Sequence, residues 1–178
     1  MTQKNGIVEA DLLVVNEMKD KKGHLPMYGV GPIYGVGILL ATVVGIALSC
    51  MAIIPVANFS AVRIPFVMMG ILLVVLGFLV WFKAAFRIDK YIVSNKLCTD
   101  GIYAVVRNPC YSGIMLMCTG ALFIANNLYL LILPFVYWIA MTILMKSTEE
   151  KWLYQLYGQE YLNYCKRVNR CIPWFQRK

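Results

Sequence analysis

Residues 108–145 read NPCYSGIMLMCTGALFIANNLYLLILPFVYWIAMTILM, 38 positions without one charged side chain. At about 1.5 Å per residue a single helix of that length would be roughly 57 Å long, nearly twice the ~30 Å hydrocarbon core of a bilayer. The run must therefore break. Asn126-Asn127 near its middle supplies a tight turn, which predicts a hairpin of two short spans over 111–125 and 128–145. A second uncharged run, 25–62, divides in the same way. It offers a span over 30–54, a loop at Pro55, Asn58 and Ser60, and a new helix opening near Pro65. That helix runs to about residue 86 and carries Lys83 near its end, where the long stem can reach the interface. Four spans result, and the fold class expected is an all-α polytopic membrane protein.

Composition supports this. Of 178 residues, 60% are hydrophobic and only 15% charged, too apolar for a water-soluble domain of this length. The net charge of +8 would suggest nucleic acid in a soluble protein. Here position matters more, and no nucleic-acid partner is expected. Sixteen of the 17 Lys and Arg, and all nine acids, fall before the first span, between Lys83 and Arg107, or from Lys146 onward; Arg63 is the exception. The positive-inside rule then places both termini and the 87–110 connection in the cytoplasm. The first 24 residues are polar, so no signal peptide is expected. The chain reads as one membrane-embedded domain over 1–178. It has a polar N-terminal segment (1–29), a cytoplasmic loop (87–110) and a cytoplasmic C-terminal segment (146–178).

The six cysteines form no C-x-x-C pair, and four lie in cytoplasmic segments or at their edge, where thiols stay reduced. A thiol oxidoreductase is not supported. His24 is the only histidine and sits in the polar N-terminal segment, so no metal site is expected. Gly31 and Gly35 form a small-x-x-x-small pair that helix packing explains.

The remaining chemistry lies in two polar stretches. In the first, 95–113, Asp100-Gly101 gives a turn, and Asn108 and Pro109 suit the cap and first turn of the third span. Arg107, just before that helix, offers a planar fork of donors. It suits a substrate or cofactor carboxylate at a helix N-terminus, and equally a lipid phosphate. In the second stretch Leu153, Leu156, Tyr157, Tyr161, Tyr164 and Val168 recur at spacings of three and four, the pattern of an amphipathic helix on the membrane surface, with Gly158 weakening its middle. Glu149 and Glu150 border its apolar face. Two adjacent carboxylates there are costly unless compensated, for instance by an amine or sulfonium ligand.

Together, Gly101, Tyr103, Arg107, Asn108, Pro109, Tyr111 and Gly113, followed by Glu149, Glu150, Leu153, Tyr157, Gly158, Tyr161, Tyr164, Val168, Arg170, Ile172 and Pro173, resemble the paired motifs of the isoprenylcysteine carboxyl methyltransferase-like integral-membrane methyltransferases. The match covers roughly residues 95–173. The resemblance implies S-adenosylmethionine as methyl donor, held between the last membrane helices and the C-terminal segment. Carried over by position, the donor contacts would be Asn95, Lys96, Leu97, Cys98, Tyr103, Asn108, Pro109, Cys110, Tyr111 and Glu149, with Arg107 and Glu150 on the catalytic side. The methyl acceptor would be a lipid or lipid-like amphiphile entering from the bilayer, and no protein partner is implied. The prenylcysteine branch carries His where this chain has Asn95 and Asn108, and Arg where it has Met145. That departure argues against a prenylcysteine acceptor. Two other readings are an NADPH-dependent sterol reductase of the same fold, whose loop has an acidic residue where Ile114 stands here, and a non-enzymatic membrane scaffold.

Overall fold

A computed structural model describes residues 30–57, 62–93 and 96–172. The helices are α1 (Gly31–Cys50), α2 (Arg63–Val93), α3 (Pro109–Ala125), α4 (Leu133–Ser147), α5 (Glu149–Tyr157) and α6 (Gln159–Arg167). Short 3₁₀ turns at Gly101–Ala104 and Leu128–Ile132 precede α3 and α4. Among the described residues there is no strand, and extended pairing is confined to one parallel bridge between Val106 and Asn169. Proline occupies the first turn of α1, α3 and α4, where its missing N–H costs nothing.

The organising helix is α3, which packs against both α1 and α2. Its contact with α2 is made by backbone. Gly70 and Gly77 on α2 face Gly120 and Gly113 on α3, and a Cβ on either Gly70 or Gly77 would lie 2.6 Å from the opposing glycine's carbonyl oxygen. Only residues without side chains allow antiparallel helices to approach this closely. On its other side α3 meets α1, where Gly31 and Gly35 leave room for the Tyr111 ring and Ile114. The Tyr34 hydroxyl donates to the Tyr137 carbonyl at 3.2 Å, and Thr42 hydrogen-bonds the Tyr137 hydroxyl at 2.8 Å, fixing α1 against α4.

The expected turn between α3 and α4 is present. Asn126 takes the left-handed conformation (φ 51°) that ends α3. Asn127, fully buried, donates to Ser49 Oγ (2.8 Å) and the Pro55 carbonyl (3.2 Å) while its own carbonyl accepts from Tyr129 N (3.2 Å). One side chain thus ties both inter-helix connections together at this end.

Two expectations change. The second helix does not stop near residue 86 but continues to Val93, because no Gly or Pro interrupts it between Gly77 and Gly101. The C-terminal amphipathic segment is two helices rather than one. Gly158 adopts φ 54°, a left-handed geometry that halts α5 and lets α6 leave in a new direction.

The outer faces of α1 and α2 are apolar and exposed, with Ile33 71% and Phe86 72% accessible. Three stretches, Gly31–Cys50, Arg63–Ile88 and Leu128–Tyr157, are long and apolar enough to cross a bilayer, and Pro109–Ala125 is a shorter apolar helix. Lipid is the solvent that makes those faces stable, and the chain is an all-α integral membrane protein.

The glycine contacts can be tested directly. Gly77→Ala or Gly120→Ala should destabilise the protein by about 1–3 kcal/mol through overpacking, read as a lowered Tm in detergent. Gly37→Ala, where a Cβ meets nothing within 4 Å, should not.

Candidate functional site

At the end of the bundle opposite Asn127, a cavity of about 670 Å³ lies between the first turns of α1, the last turns of α2, the N-terminus of α3, and α5 and α6. Lys96, Leu97, Cys98, Tyr103, Arg107, Asn108, Pro109, Cys110, Tyr111 and Glu149 all line it. Every expected donor contact among the described residues therefore shares one chamber; Asn95 lies outside the described residues. Glu150 stands behind the wall, joined to the chamber through Arg107.

Two adjacent carboxylates at the start of α5 have different partners. Glu150 is compensated by arginines. Arg170 grips it bidentately, Nε to Oε1 at 2.5 Å and NH2 to Oε2 at 3.0 Å, and Arg107 NH1 lies 3.3 Å from Oε1. The Arg107 side chain is only 9% exposed. It also donates to the Tyr161 hydroxyl and the Cys165 thiol, so it is drawn inward rather than toward lipid phosphate. Its Nε is buried without a hydrogen-bond partner. Glu149 has no Lys or Arg within ion-pair distance among the described residues. One of its oxygens accepts from the Val30 backbone N–H (3.0 Å) and from the Tyr111 hydroxyl.

Backbone hydrogen bonds hold the two motif segments together. Arg107 N donates to the Asn169 carbonyl (2.8 Å), Asn108 N to the Arg170 carbonyl (3.2 Å), and Ser112 Oγ to the Cys171 carbonyl (2.6 Å). The C-terminal stretch is thus clipped alongside residues 106–112, which carries Arg170 to Glu150. The Tyr164 hydroxyl donates to the Tyr103 carbonyl at 2.5 Å, closing the same wall from α6. Burial raises the Tyr103, Tyr161 and Tyr164 hydroxyls above the usual tyrosine range, so all three remain neutral. The Glu150 hydrogen bond raises Arg170, which keeps its charge.

Some of the site was not evident from residue pattern. The Val30 N–H on Glu149, the Trp81 and Trp152 walls and the Arg170 grip on Glu150 all depend on segments distant in sequence. Met145, where the prenylcysteine branch carries Arg, is fully buried among Tyr137, Met141 and Cys171 and does not line the cavity.

Residues 62–160 match the family described as phospholipid methyltransferase. The chain belongs to the phospholipid methyltransferase family. This phospholipid methyltransferase region contains α2 through α5 and most of the cavity lining. Curated relatives include protein-S-isoprenylcysteine O-methyltransferase B of Arabidopsis thaliana, 30% identical over 45% of this chain and 41% of the relative. The protein-S-isoprenylcysteine O-methyltransferase of Schizosaccharomyces pombe is 34% identical over 47% of this chain and 38% of its own. A probable protein-S-isoprenylcysteine O-methyltransferase of Oryza sativa subsp. indica is 30% identical over 46% and 43%. The aligned part of the chain spans about two fifths of each of these relatives. No solved structure shows a significant match.

Cys98, on the cavity wall 3.7 Å from Asp100 Oδ1, provides a check on this geometry. Burial pushes its thiol up to about 12 from an ordinary 9.0, with the Asp100 charge adding to the effect. The thiol therefore stays protonated through neutral and mildly alkaline pH, and its thiolate appears only as pH approaches the raised value. Alkylation of Cys98 at pH 8, followed by peptide mass spectrometry, should run about 10³-fold slower than for a free thiol, the factor that three pKa units give. Labelling as fast as exposed Cys50 would contradict a buried thiol.

Proposed function

We propose that this protein transfers a methyl group from S-adenosylmethionine to a lipid-like amphiphile at the membrane surface. One observation carries the reading: Glu149, a carboxylate with no Lys or Arg within ion-pair distance among the described residues, lines a chamber whose other walls are the loop motif and the apolar flanks of α1 and α2. A desolvated carboxylate of this kind favours a cationic or hydroxyl-bearing ligand. Donor fit is supported by size as well, since small-molecule sites span roughly 300–1,000 Å³.

When bound, the donor supplies a methyl group on a sulfonium, open to displacement by a nucleophile aligned opposite the leaving sulfur. The residues of this chain bind, align and exclude water. Glu149 accepts from the donor's ammonium or ribose hydroxyls, with Tyr111 and Val30 N–H fixing its orientation. Lys96 and the first turn of α3 receive the donor's carboxylate. Tyr103, Trp152 and Tyr157 shield the reacting centre from water, where alignment supplies much of the rate. Arg107 is held from behind by Glu150, which Arg170 holds in turn, and its guanidinium brings a positive charge to the cavity wall that orients the acceptor's polar group. The apolar lining from Val36, Leu39 and Trp81 accommodates the acceptor's tail, which enters from lipid while the donor enters from water.

The relatives are named for isoprenylcysteine, but Met145 sits in the core and leaves Arg107 and Lys96 as the cavity's cations among the described residues. An acceptor with a phosphate or small polar headgroup suits that arrangement better than one needing a dedicated carboxylate clamp on α4.

Thermal unfolding in detergent should show stabilisation by S-adenosylmethionine or its demethylated product, about 2.7 kcal/mol at 100 times the dissociation constant. Stabilisation by NADPH alone would overturn the reading. Glu149→Gln should weaken donor binding at least tenfold, because a hydrogen bond to a charged group contributes about 1.5–3 kcal/mol. Arg107→Lys should lower kcat more than donor affinity, measured by radiolabelled transfer to phospholipids, prenylated thiols and amphipathic amines.

The basic residues support a cytoplasmic site. A thiol introduced by Asn58→Cys should be labelled from outside intact cells, and one introduced by Lys166→Cys only after permeabilisation. The reverse pattern would invert the orientation.

A further inference from the structure

A second cavity, about 730 Å³, lies on the opposite side of α2 from the first. At 100° per residue, Trp81, Ala85 and Ile88 share the face turned to the first cavity, whereas Lys83 and Arg87 point away from it. Phe86 borders both. The remaining walls are Tyr91, Ile102, Val105 and the turn at Asp100-Gly101.

We propose that this second cavity binds the phosphate headgroup of an anionic membrane phospholipid. Three observations support the assignment. First, Lys83 and Arg87 lie one helical turn apart on the same face, where like charges repel unless an anion joins them. Asp100 Oδ1, 3.6 Å from Arg87 Nε, compensates one of the pair. Lys83 has no carboxylate within ion-pair distance among the described residues, so the cavity carries one positive charge in excess.

Second, the site is an open groove whose walls at Lys83, Phe86, Arg87, Asp100 and Val105 are all exposed, so a headgroup can reach both cations. Gly101 adopts φ 56°, a conformation that favours glycine, and the Arg87 guanidinium rests against it. The Tyr91 hydroxyl also hydrogen-bonds Asp100, adding a polar edge to the groove.

Third, its position selects lipid over free phosphate. The apolar stretch of α2 ends at Ile88, so Lys83 and Arg87 stand where headgroup phosphates lie. Phe82 and Phe86 are exposed on the adjoining lipid-facing surface, and Val105 continues the apolar edge across the opening. A phosphate held between the two cations would leave its acyl chains along those residues.

The test is lipid binding by the full chain, which needs no methyl donor, so its failure is separate from failure of the methyltransferase reading. Delipidated protein in neutral detergent is titrated with phosphatidylglycerol, phosphatidylcholine and inorganic phosphate, with retained lipid read by native mass spectrometry and stability by thermal unfolding. Phosphatidylglycerol should bind and raise Tm, and the other two should not at equal concentration. Lys83→Gln, at an exposed position outside the donor cavity, should weaken phosphatidylglycerol binding about fivefold, the effect of one interfacial cation. Lys166→Gln, an exposed cation on α6, should leave it unchanged. Equal retention of phosphatidylcholine, equal stabilisation by inorganic phosphate, or the same loss in both variants would each overturn the proposal.

Discussion

The backbone contact between α2 and α3 at Gly70–Gly120 and Gly77–Gly113 is the constraint from which the rest of the structure follows. A bilayer offers no hydrophobic drive to bring two helices together, so close packing must supply the attraction. With α3 pressed this tightly onto α2, the N-terminus of α3 is set beside the last turns of α2, and the polar residues of both ends face one chamber. The helix α1 completes the wall from the other side by a looser version of the same device, in which glycines admit the ring of Tyr111 and the side chain of Ile114. Tyr111 then reaches Glu149, which links the helix packing directly to the candidate donor site.

A second level of organisation lies outside the bilayer. The loop motif and the C-terminal motif are separated by a helical hairpin in sequence, yet backbone hydrogen bonds between residues 107–108 and 169–170 make them one structural unit. The ion pairs follow from this. Arg170 can reach Glu150 only because the chain turns back after α6, and Glu150 can hold Arg107 only because α5 continues from α4 at the same level. Three charges with a net of +1 are thereby drawn together, half-buried, at the cavity wall. Burying them is costly unless each is satisfied, and the one unsatisfied donor among them is Arg107 Nε.

Much of this was readable before any coordinates. Uncharged length forced the helix count, Asn126-Asn127 marked the turn, prolines marked helix starts, and ten of the twelve residues singled out line the same cavity. What escaped was long-range. The seven-residue spacing of Gly70 and Gly77 acquires meaning only when matched to Gly113 and Gly120 on another helix, and periodicity along one helix does not reveal its partner. Glu149 and Glu150 looked equivalent as neighbours, but helical rotation sends one to a tyrosine and a backbone N–H and the other to two arginines. Gly158 was visible as a weak point, whereas the complete break depends on its positive φ.

The clip between residues 106–112 and 169–171 also divides the protein's stability from its competence. The four apolar helices precede in sequence the segment that carries Arg170. The glycine pairs of the membrane-embedded packing use none of this segment, whereas Arg107 and Glu150 depend on it for the group that fixes them. Holding the bundle together and finishing the site therefore fall to different parts of the chain, so a lesion in the clip would leave an intact bundle with an unfinished chamber.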